Sequence, residues 1–239
     1  MKLRCQCVPQ DASQRPRLAV VLCHGYGAPG SDLVPLAGEL FAVNPRLKEG
    51  VQFIFPEAPI SLEASGGGNG RAWWNIDLNE RIRLQALGTD GELALHEQKP
   101  EGLPEARRML MGLLEGVARQ TGLGLSRIVL GGFSQGAMVA TDVALALDEA
   151  PAGLVILSGT LISRPDWEKK AARRRGLPVL QSHGRMDPTL SFAGGEALQK
   201  VLEQAGLAVQ VDHFNGGHTI ARSTLTALGR FLEGLLGAG

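Results

Sequence analysis

The segment RIVLGGFSQGAMVATDVALAL, from Arg127 to Leu147, contains the strongest indication of the fold. It begins with a short apolar run at Arg127–Leu130 and continues through a Gly-x-Ser-x-Gly motif centred on Ser134. From Ala137 to Leu147 the residues are mostly small and apolar, as in a helix packed inside a domain. Glycine is common in this chain, 32 of 239 residues, so the five letters alone are weak evidence. Their position between a strand and a helix predicts the sharp turn of a nucleophile elbow.

Similar apolar runs and helical periodicities alternate along the rest of the chain, which predicts an α/β fold with a mostly parallel central sheet and helices on both faces. The carboxyl ends of parallel strands then meet at one edge, where ligands bind. The predicted strands are Leu18–Cys23, Val51–Phe55, Arg127–Leu130, Gly153–Leu157, Pro178–Ser182 and Val209–Phe214. The predicted helices are Pro104–Gln120, Ala137–Leu147, Phe192–Gln204 and Thr219–Leu236.

Length and composition favour a single cytoplasmic domain spanning residues 1–239. The chain is 44% hydrophobic and its formal net charge is zero, so no basic field favours nucleic acid. No apolar run is long enough to span a membrane, and the N-terminus has no apolar core of a signal peptide. Cys5 and Cys7 lack the second half of a zinc site, so neither metal nor cofactor is expected. A homodimer is left open.

One long excursion, at about residues 61–100, interrupts the alternation. It carries the run SGGGNG at Ser65–Gly70, which is typical of an exposed loop, then Trp73, Trp74 and a charged segment containing His96. His96 is expected to be exposed. Because the excursion leaves the sheet on the strand-end side, it is expected to shape a pocket.

Two downstream loops supply the partners that a serine nucleophile needs. A serine hydroxyl attacks well only when a base takes its proton, and the elbow predicts the chain order serine, acid, histidine. Asp187 follows the strand Pro178–Ser182, and His218 follows the strand Val209–Phe214. Both loops lie at the predicted strand-end edge, so Ser134, Asp187 and His218 are the candidate catalytic residues.

Other acids and histidines fit this geometry less well. Asp212 and His213 lie within a strand, and their side chains point to opposite faces. Asp166 is the weaker alternative for the acid, and His183 is expected to be a structural histidine. Asp187 as a turn residue and His218 as a helix cap are the alternatives to catalysis.

Acyl transfer also needs N–H donors for the oxyanion that develops on the carbonyl oxygen. The elbow helix supplies one, the backbone N–H of Gln135. The second is expected from the loop after the first core strand, where Gly25 and Gly27 flank Tyr26 and let the backbone approach a substrate. His24, at the start of that loop, is expected to hold it in place.

Together these motifs resemble the carboxylesterase/acyl-protein thioesterase family, also called the phospholipase/carboxylesterase group of α/β-hydrolases. The resemblance covers residues 18–235 and is carried, in family order, by LCHGYGAPGSDL, FPEAP, AWWNID, GGFSQGA, LSG, HGRMDPTLSF and GGHTI. Tyr26 departs from the leucine or similar residue usual at its position, and the SGGGNG run departs from the usual loop.

The resemblance implies a serine hydrolase of carboxylic esters, or thioesters, that acts on a small-molecule ester or acyl substrate through an acyl-enzyme. The predicted substrate-binding residues are Trp73, Trp74 and Met186. The alternatives left open are an amide or lactone substrate and a non-catalytic binding protein on the same fold. The basic run at Glu168–Gly176 suggests a nucleic-acid binder, but a charge run is usually a solvated helix face.

Overall fold

The computed structural model describes residues 2–8 and 15–238, and its centre is a seven-stranded sheet. The strands of the described residues are β1 (Cys5–Val8), β2 (Leu18–Cys23), β3 (Val51–Pro56), β4 (Ile60–Ser61), β5 (Arg71–Ala72), β6 (Ile128–Phe133), β7 (Gly153–Leu157), β8 (Pro178–Gly184) and β9 (Ala208–Phe214). The order across the sheet is β1-β3-β2-β6-β7-β8-β9, and β4 pairs with β5 separately. Only the edge strand β1 is antiparallel to its neighbour in the described sheet.

Helices cover both faces of this sheet. In the described residues they are α1 (Val34–Val43), α2 (Leu78–Ala86), α3 (Thr89–Glu97), α4 (Leu103–Thr121), α5 (Gln135–Ala146), α6 (Arg164–Ala171), α7 (Phe192–Gln204) and α8 (Arg222–Gly237). Helices α1 and α8 pack against one face, with Leu40 and Phe231 in one apolar cluster. Helices α4, α5 and α7 pack against the other face.

Strand β2 shows why the strands are apolar throughout. All six of its residues are buried, and alternate side chains belong to different cores. Val20 joins the cluster under α1 and α8, whereas Val21 joins the cluster under α4 and α5. A strand covered on both faces has no position that faces water, so period-2 alternation disappears.

The predicted fold class, a mostly parallel sheet with helices on both faces, is confirmed. All six predicted strands and four predicted helices are present, with ends that differ by at most three residues. The sequence prediction missed β1, β4, β5, α1 and the short helices of the excursion. Strand β1 has mostly exposed side chains, so it shows no apolar run from which a strand could be predicted.

The excursion at 61–100 is more structured than its composition indicated. It contains β5 and the helices α2 and α3, and the run from Glu63 to Asn69 is exposed. His96 was expected to be exposed, and that prediction is wrong: only 4% of it is exposed. It lies at the end of α3, with Nδ1 3.4 Å from the guanidinium of Arg164 at the start of α6.

Candidate active site

Ser134 lies on a sharp turn between β6 and α5, with φ 55° and ψ −121°. Few L-residues adopt such backbone angles, which cost roughly 1–3 kcal/mol and concentrate at functional sites. The turn is held by a hydrogen bond from the Ser134 N–H to the carbonyl of Leu157, 2.9 Å away. A Cβ at Gly132 would lie 2.5 Å from the Cys23 carbonyl oxygen, and one at Gly136 would collide with the same oxygen. Both glycines are therefore required for β2 and α5 to approach this closely.

Asp187 and His218 are joined by a hydrogen bond of 2.7 Å from the His218 Nδ1–H to Asp187 Oδ2. The Asp187 side chain is fully buried, and its other oxygen, Oδ1, accepts the N–H groups of Thr189 at 2.8 Å and Leu190 at 2.9 Å. Each of these contacts places an N–H group against a carboxylate oxygen, which accepts the hydrogen bond. Because the carboxylate accepts from Nδ1, the neutral imidazole keeps a lone pair on Nε2.

Ser134 and His218 line the same cavity, which has a volume of about 770 Å³. The ring of His218 packs on Phe133, the residue before the serine, with ring centroids 4.7 Å apart. No hydrogen bond joins Ser134 to His218 among the described residues. Such contacts are often long in enzymes without substrate and shorten in the substrate complex.

Tyr26 and Gln135 line this cavity beside Ser134. The loop after β2 runs directly against the serine, since a Cβ at Gly25 would lie 3.3 Å from Ser134 Cβ. Gly27 follows with φ 81° and donates its N–H to the Arg71 carbonyl at 2.8 Å. Gln135 is the first residue of α5, and the first N–H groups of a helix have no acceptor within it. The two backbone segments thus flank the serine.

The side chain of Gln135 is a functional contact that sequence reasoning missed. Its Oε1 accepts the Trp73 N–H and its Nε2 donates to the Trp74 carbonyl, both at 2.9 Å. The motif position predicted only a backbone role, and no sequence signal identifies a partner more than 60 residues away.

His24 anchors the loop after β2 to its surroundings. Its Nε2 accepts the Ala58 N–H at 3.1 Å, and its Nδ1 lies 2.8 Å from the Gly25 carbonyl. Its own carbonyl accepts the indole N–H of Trp73 at 2.9 Å. Burial lowers the pKa of the imidazole below its usual value, which favours the neutral ring that these contacts need.

The predicted substrate-binding residues divide into two groups. Trp74 lines the cavity. Trp73 does not, because its indole is buried in the core and bonded to the His24 carbonyl. Met186 is 68% exposed and lies outside the described cavity wall, with its N–H bonded to the Gly216 carbonyl. Trp73 and Met186, both predicted to bind substrate, thus lie outside the wall of this cavity.

Most of the individual side chains in the cavity wall were not predicted from the sequence. The excursion contributes residues from Trp74 to Glu80 and from Gly88 to Pro100. Apolar side chains from four parts of the chain line it: Ile76, Leu95, Met138, Leu161, Ile162 and Leu190. No described residue of the wall is a lysine or an arginine. The cavity can therefore hold an apolar group beside Ser134.

Three other acidic residues make ion pairs or hydrogen bonds away from the cavity. Asp166 pairs with Lys99 at 2.9 Å on the surface, and this hydrogen bond lowers its pKa. Asp142 is fully buried against the Arg107 guanidinium, 2.5 Å away. Asp212 accepts hydrogen bonds from hydroxyls at the start of α8. None of these three lines the cavity.

Within the described residues, no group of three or more His, Cys, Asp or Glu side chains could hold a metal ion. None of the described helices is both long enough and apolar enough to cross a membrane.

Comparisons with known proteins show the family of this chain. Residues 6–236 match the family model described as phospholipase/carboxylesterase. The chain is 29% identical to acyl-protein thioesterase 1 of Eremothecium gossypii over 189 residues, which cover 79% of this chain and 74% of that protein. It is 23% identical to acyl-protein thioesterase 1 of Candida albicans over 236 residues, 96% of each chain. The crystal structure of esterase PE8 superposes with a TM-score of 0.80 at 30% identity, covering 98% of this chain and 100% of that one. The chain therefore belongs to the phospholipase/carboxylesterase family of α/β-hydrolases and is a hydrolase.

Proposed function

We propose that this single-domain hydrolase cleaves carboxylic esters and thioesters through a Ser134–His218–Asp187 triad and an acyl-enzyme. The observation that carries the proposal is the hydrogen bond between His218 Nδ1 and buried Asp187, at the same cavity as the strained Ser134 turn. A nucleophile, a base and a residue that orients the base are the three parts that such chemistry requires.

The first half of the reaction forms the acyl-enzyme. Ser134 Oγ attacks the substrate carbonyl carbon while its proton passes to His218 Nε2. The backbone N–H groups of Tyr26 and Gln135 stabilise the oxyanion, and each lowers the activation barrier by roughly 2.7–4 kcal/mol. The carbon–oxygen or carbon–sulfur bond then breaks, and the leaving alcohol or thiol takes the proton from His218. Asp187 fixes the imidazole tautomer and stabilises the imidazolium.

The second half releases the acid. A water molecule gives a proton to His218 Nε2 as its oxygen attacks the acyl-enzyme carbonyl. The bond from that carbon to Ser134 Oγ breaks, and the proton returns to the serine oxygen. The carboxylic acid product leaves, and the enzyme is restored without net gain or loss of electrons or protons.

The cavity supports an acyl group as the part of the substrate that is recognised. Its volume of about 770 Å³ lies within the usual range for small-molecule sites, roughly 300–1,000 Å³. Apolar side chains line this cavity together with Ser134, so we expect each methylene of an acyl chain that they bury to add roughly 1 kcal/mol or more of binding. The names of the relatives, acyl-protein thioesterases, support testing thioesters beside oxygen esters. We place the enzyme in the cytoplasm.

The first prediction is that Ser134→Ala lowers kcat for p-nitrophenyl esters and for an acyl thioester by roughly 10⁴-fold or more. It also prevents labelling by a fluorophosphonate probe, because the attacking oxygen is gone. Circular dichroism and the thermal midpoint show that the fold is intact.

Ser158→Ala is the matched control for this experiment. Ser158 follows the neighbouring strand β7, is buried, and has φ 49°, but it does not line the cavity. This variant keeps turnover and labelling. Turnover by folded Ser134→Ala at the wild-type rate would refute the proposed mechanism.

A further inference from the structure

His183, the penultimate residue of β8, lies behind the candidate triad and is fully buried. Its Nε2 is 3.0 Å from the Leu190 carbonyl oxygen and 3.4 Å from Asp187 Oδ2. A carbonyl oxygen only accepts hydrogen bonds, so Nε2 carries the proton. The ring thus directs an N–H at the turn that holds Asp187, with the carboxylate oxygen beside it.

The opposite side of the His183 ring fixes its orientation. With the proton on Nε2, Nδ1 carries a lone pair, and this nitrogen has no hydrogen-bond partner among the described residues. The first turn of α7 passes directly over it, since a Cβ at Gly195 would lie 2.6 Å from Nδ1. The edge of Phe192 packs against the ring at a centroid distance of 6.1 Å. The ring therefore has one position available.

The contacts of Asp187 show how the buried His183 ring acts on the turn from Asp187 to Leu190. Its Oδ1 is bonded to the N–H groups of Thr189 and Leu190, and the Leu190 carbonyl is bonded to His183. The turn from Asp187 to Leu190 is thereby tied to the sheet from inside. Oδ2 is left with two imidazoles, His218 at 2.7 Å and His183 at 3.4 Å.

Few other charges reach His183. Besides Asp187, His213 and Arg185 lie near it. His213 is its register partner on β9 and packs on the Phe192 ring with centroids 4.8 Å apart, and Arg185 lies 5.0 Å above the same Phe192 ring. Asp187 is the charged group that the His183 Nε2–H faces, at 3.4 Å.

We propose that His183 is a positioning residue for the reaction: its Nε2–H holds the Leu190 carbonyl and offsets charge on Asp187 Oδ2, so that this oxygen meets His218 in one orientation. This inference rests on the proposed triad and adds His183 as a fourth member, which contacts Asp187 but does not touch the substrate. It goes beyond the general structural role that the sequence predicted for His183.

The test compares two amides at position 183. In His183→Gln the side-chain nitrogen reaches the place of Nε2, so an N–H still meets the Leu190 carbonyl. In His183→Asn the nitrogen reaches only the place of Nδ1, so that N–H is lost. His183→Phe keeps a ring without any N–H. Each variant is measured for its thermal midpoint, for kcat and KM per active site titrated with fluorophosphonate, and for the pH profile of kcat/KM.

We expect His183→Asn and His183→Phe to lose kcat roughly 10- to 100-fold with little change in KM, as for a misplaced catalytic group. Without the N–H beside Oδ2, the carboxylate attracts the imidazolium of His218 more strongly, so His218 keeps its proton to higher pH. The acid limb of the profile moves up by about half a pH unit or more. His183→Gln restores most of kcat and the wild-type limb.

Two results would overturn the inference. One is a folded His183→Asn with wild-type kcat and acid limb. The other is an equal loss in His183→Gln and His183→Asn that follows the thermal midpoint and leaves the limb in place, which is the pattern of a packing role. If His183→Phe does not fold, the two amides decide. Failure of the triad is separate, because it appears as turnover by Ser134→Ala.

Discussion

At the scale of single residues, Gln135 has two roles at the active site. Its backbone N–H is the proposed oxyanion donor, and its side chain holds Trp73 and Trp74 within the excursion. Only 1% of Gln135 is exposed, so both amide contacts are made away from water. Truncating the side chain leaves two buried backbone groups without partners, whereas the backbone donor of residue 135 remains.

We therefore predict that Gln135→Ala lowers the free energy of unfolding by about 2–6 kcal/mol, since each of the two unsatisfied groups costs about 1–3 kcal/mol. It also raises KM for long-chain esters more than it lowers kcat, because Trp74 lines the cavity. Urea unfolding and an ester series measure the two effects. The control Gln199→Ala, on the exposed face of α7, changes neither. Wild-type stability in Gln135→Ala would show that the contacts of the Gln135 side chain with Trp73 and Trp74 do not stabilise the fold.

At the scale of elements, the α2–α3 pair forms a wall of the cavity. Gly91, in the first turn of α3, lies so close to α2 that a Cβ there would collide with the Leu84 carbonyl oxygen. Further along α3, Leu95 and His96 face the cavity. The separation of the two helices thus sets the position of one wall, and it is set by a residue without a side chain.

Replacing this glycine tests the role of the wall. We expect Gly91→Ala to push α3 away from α2, to destabilise the protein by about 1–3 kcal/mol, and to raise KM for octanoyl and longer esters roughly fivefold or more. Turnover of the acetate ester changes less, because the short acyl group does not reach α3. The measurement is kcat and KM over p-nitrophenyl esters from acetate to palmitate.

Gly112→Ala is the matched control. Gly112 lies within α4, and a Cβ there would meet no atom within 4 Å. Alanine in such a position stabilises a helix by about 0.5–1 kcal/mol, with no change in KM. An equal rise in KM for acetate and palmitate esters of Gly91→Ala would show that α3 does not contact the acyl chain.

At the scale of the whole molecule, the sequence predicted what the sheet itself determines. Strand ends of a parallel sheet share one edge, so Asp187 and His218 could be placed near Ser134 without coordinates. The helices of the excursion could not be placed this way, because no strand pairing fixes them. The same limit applies to Trp73 and Trp74: they are neighbours in sequence, but only side-chain contacts decide which one faces the core.

Three histidines from different parts of the molecule also determine how stability depends on pH. Burial is the largest cause that lowers the pKa values of His24, His96 and His213. An unfolded histidine takes up its proton near pH 6.5, whereas these three stay neutral to lower pH in the folded state. Below about pH 6.5 the unfolded state therefore binds more protons, and stability falls as the pH falls. Asp166, whose pKa is lowered, acts only in a more acidic range, below about pH 4.

We accordingly predict that the urea midpoint is constant from about pH 8 to 7 and decreases from about pH 6.5 to 5. Each unit of pKa difference is worth about 1.4 kcal/mol of stability above the window and is lost below the folded-state pKa. In His24→Gln the amide can still accept the Ala58 N–H but cannot be protonated, so the slope between pH 6.5 and 5 becomes shallower than in the wild type. His96→Gln and His213→Gln each remove a further part of the slope. A midpoint that rises on acidification from pH 6.5 to 5, or an unchanged slope in all three variants, would show that other groups control acid unfolding.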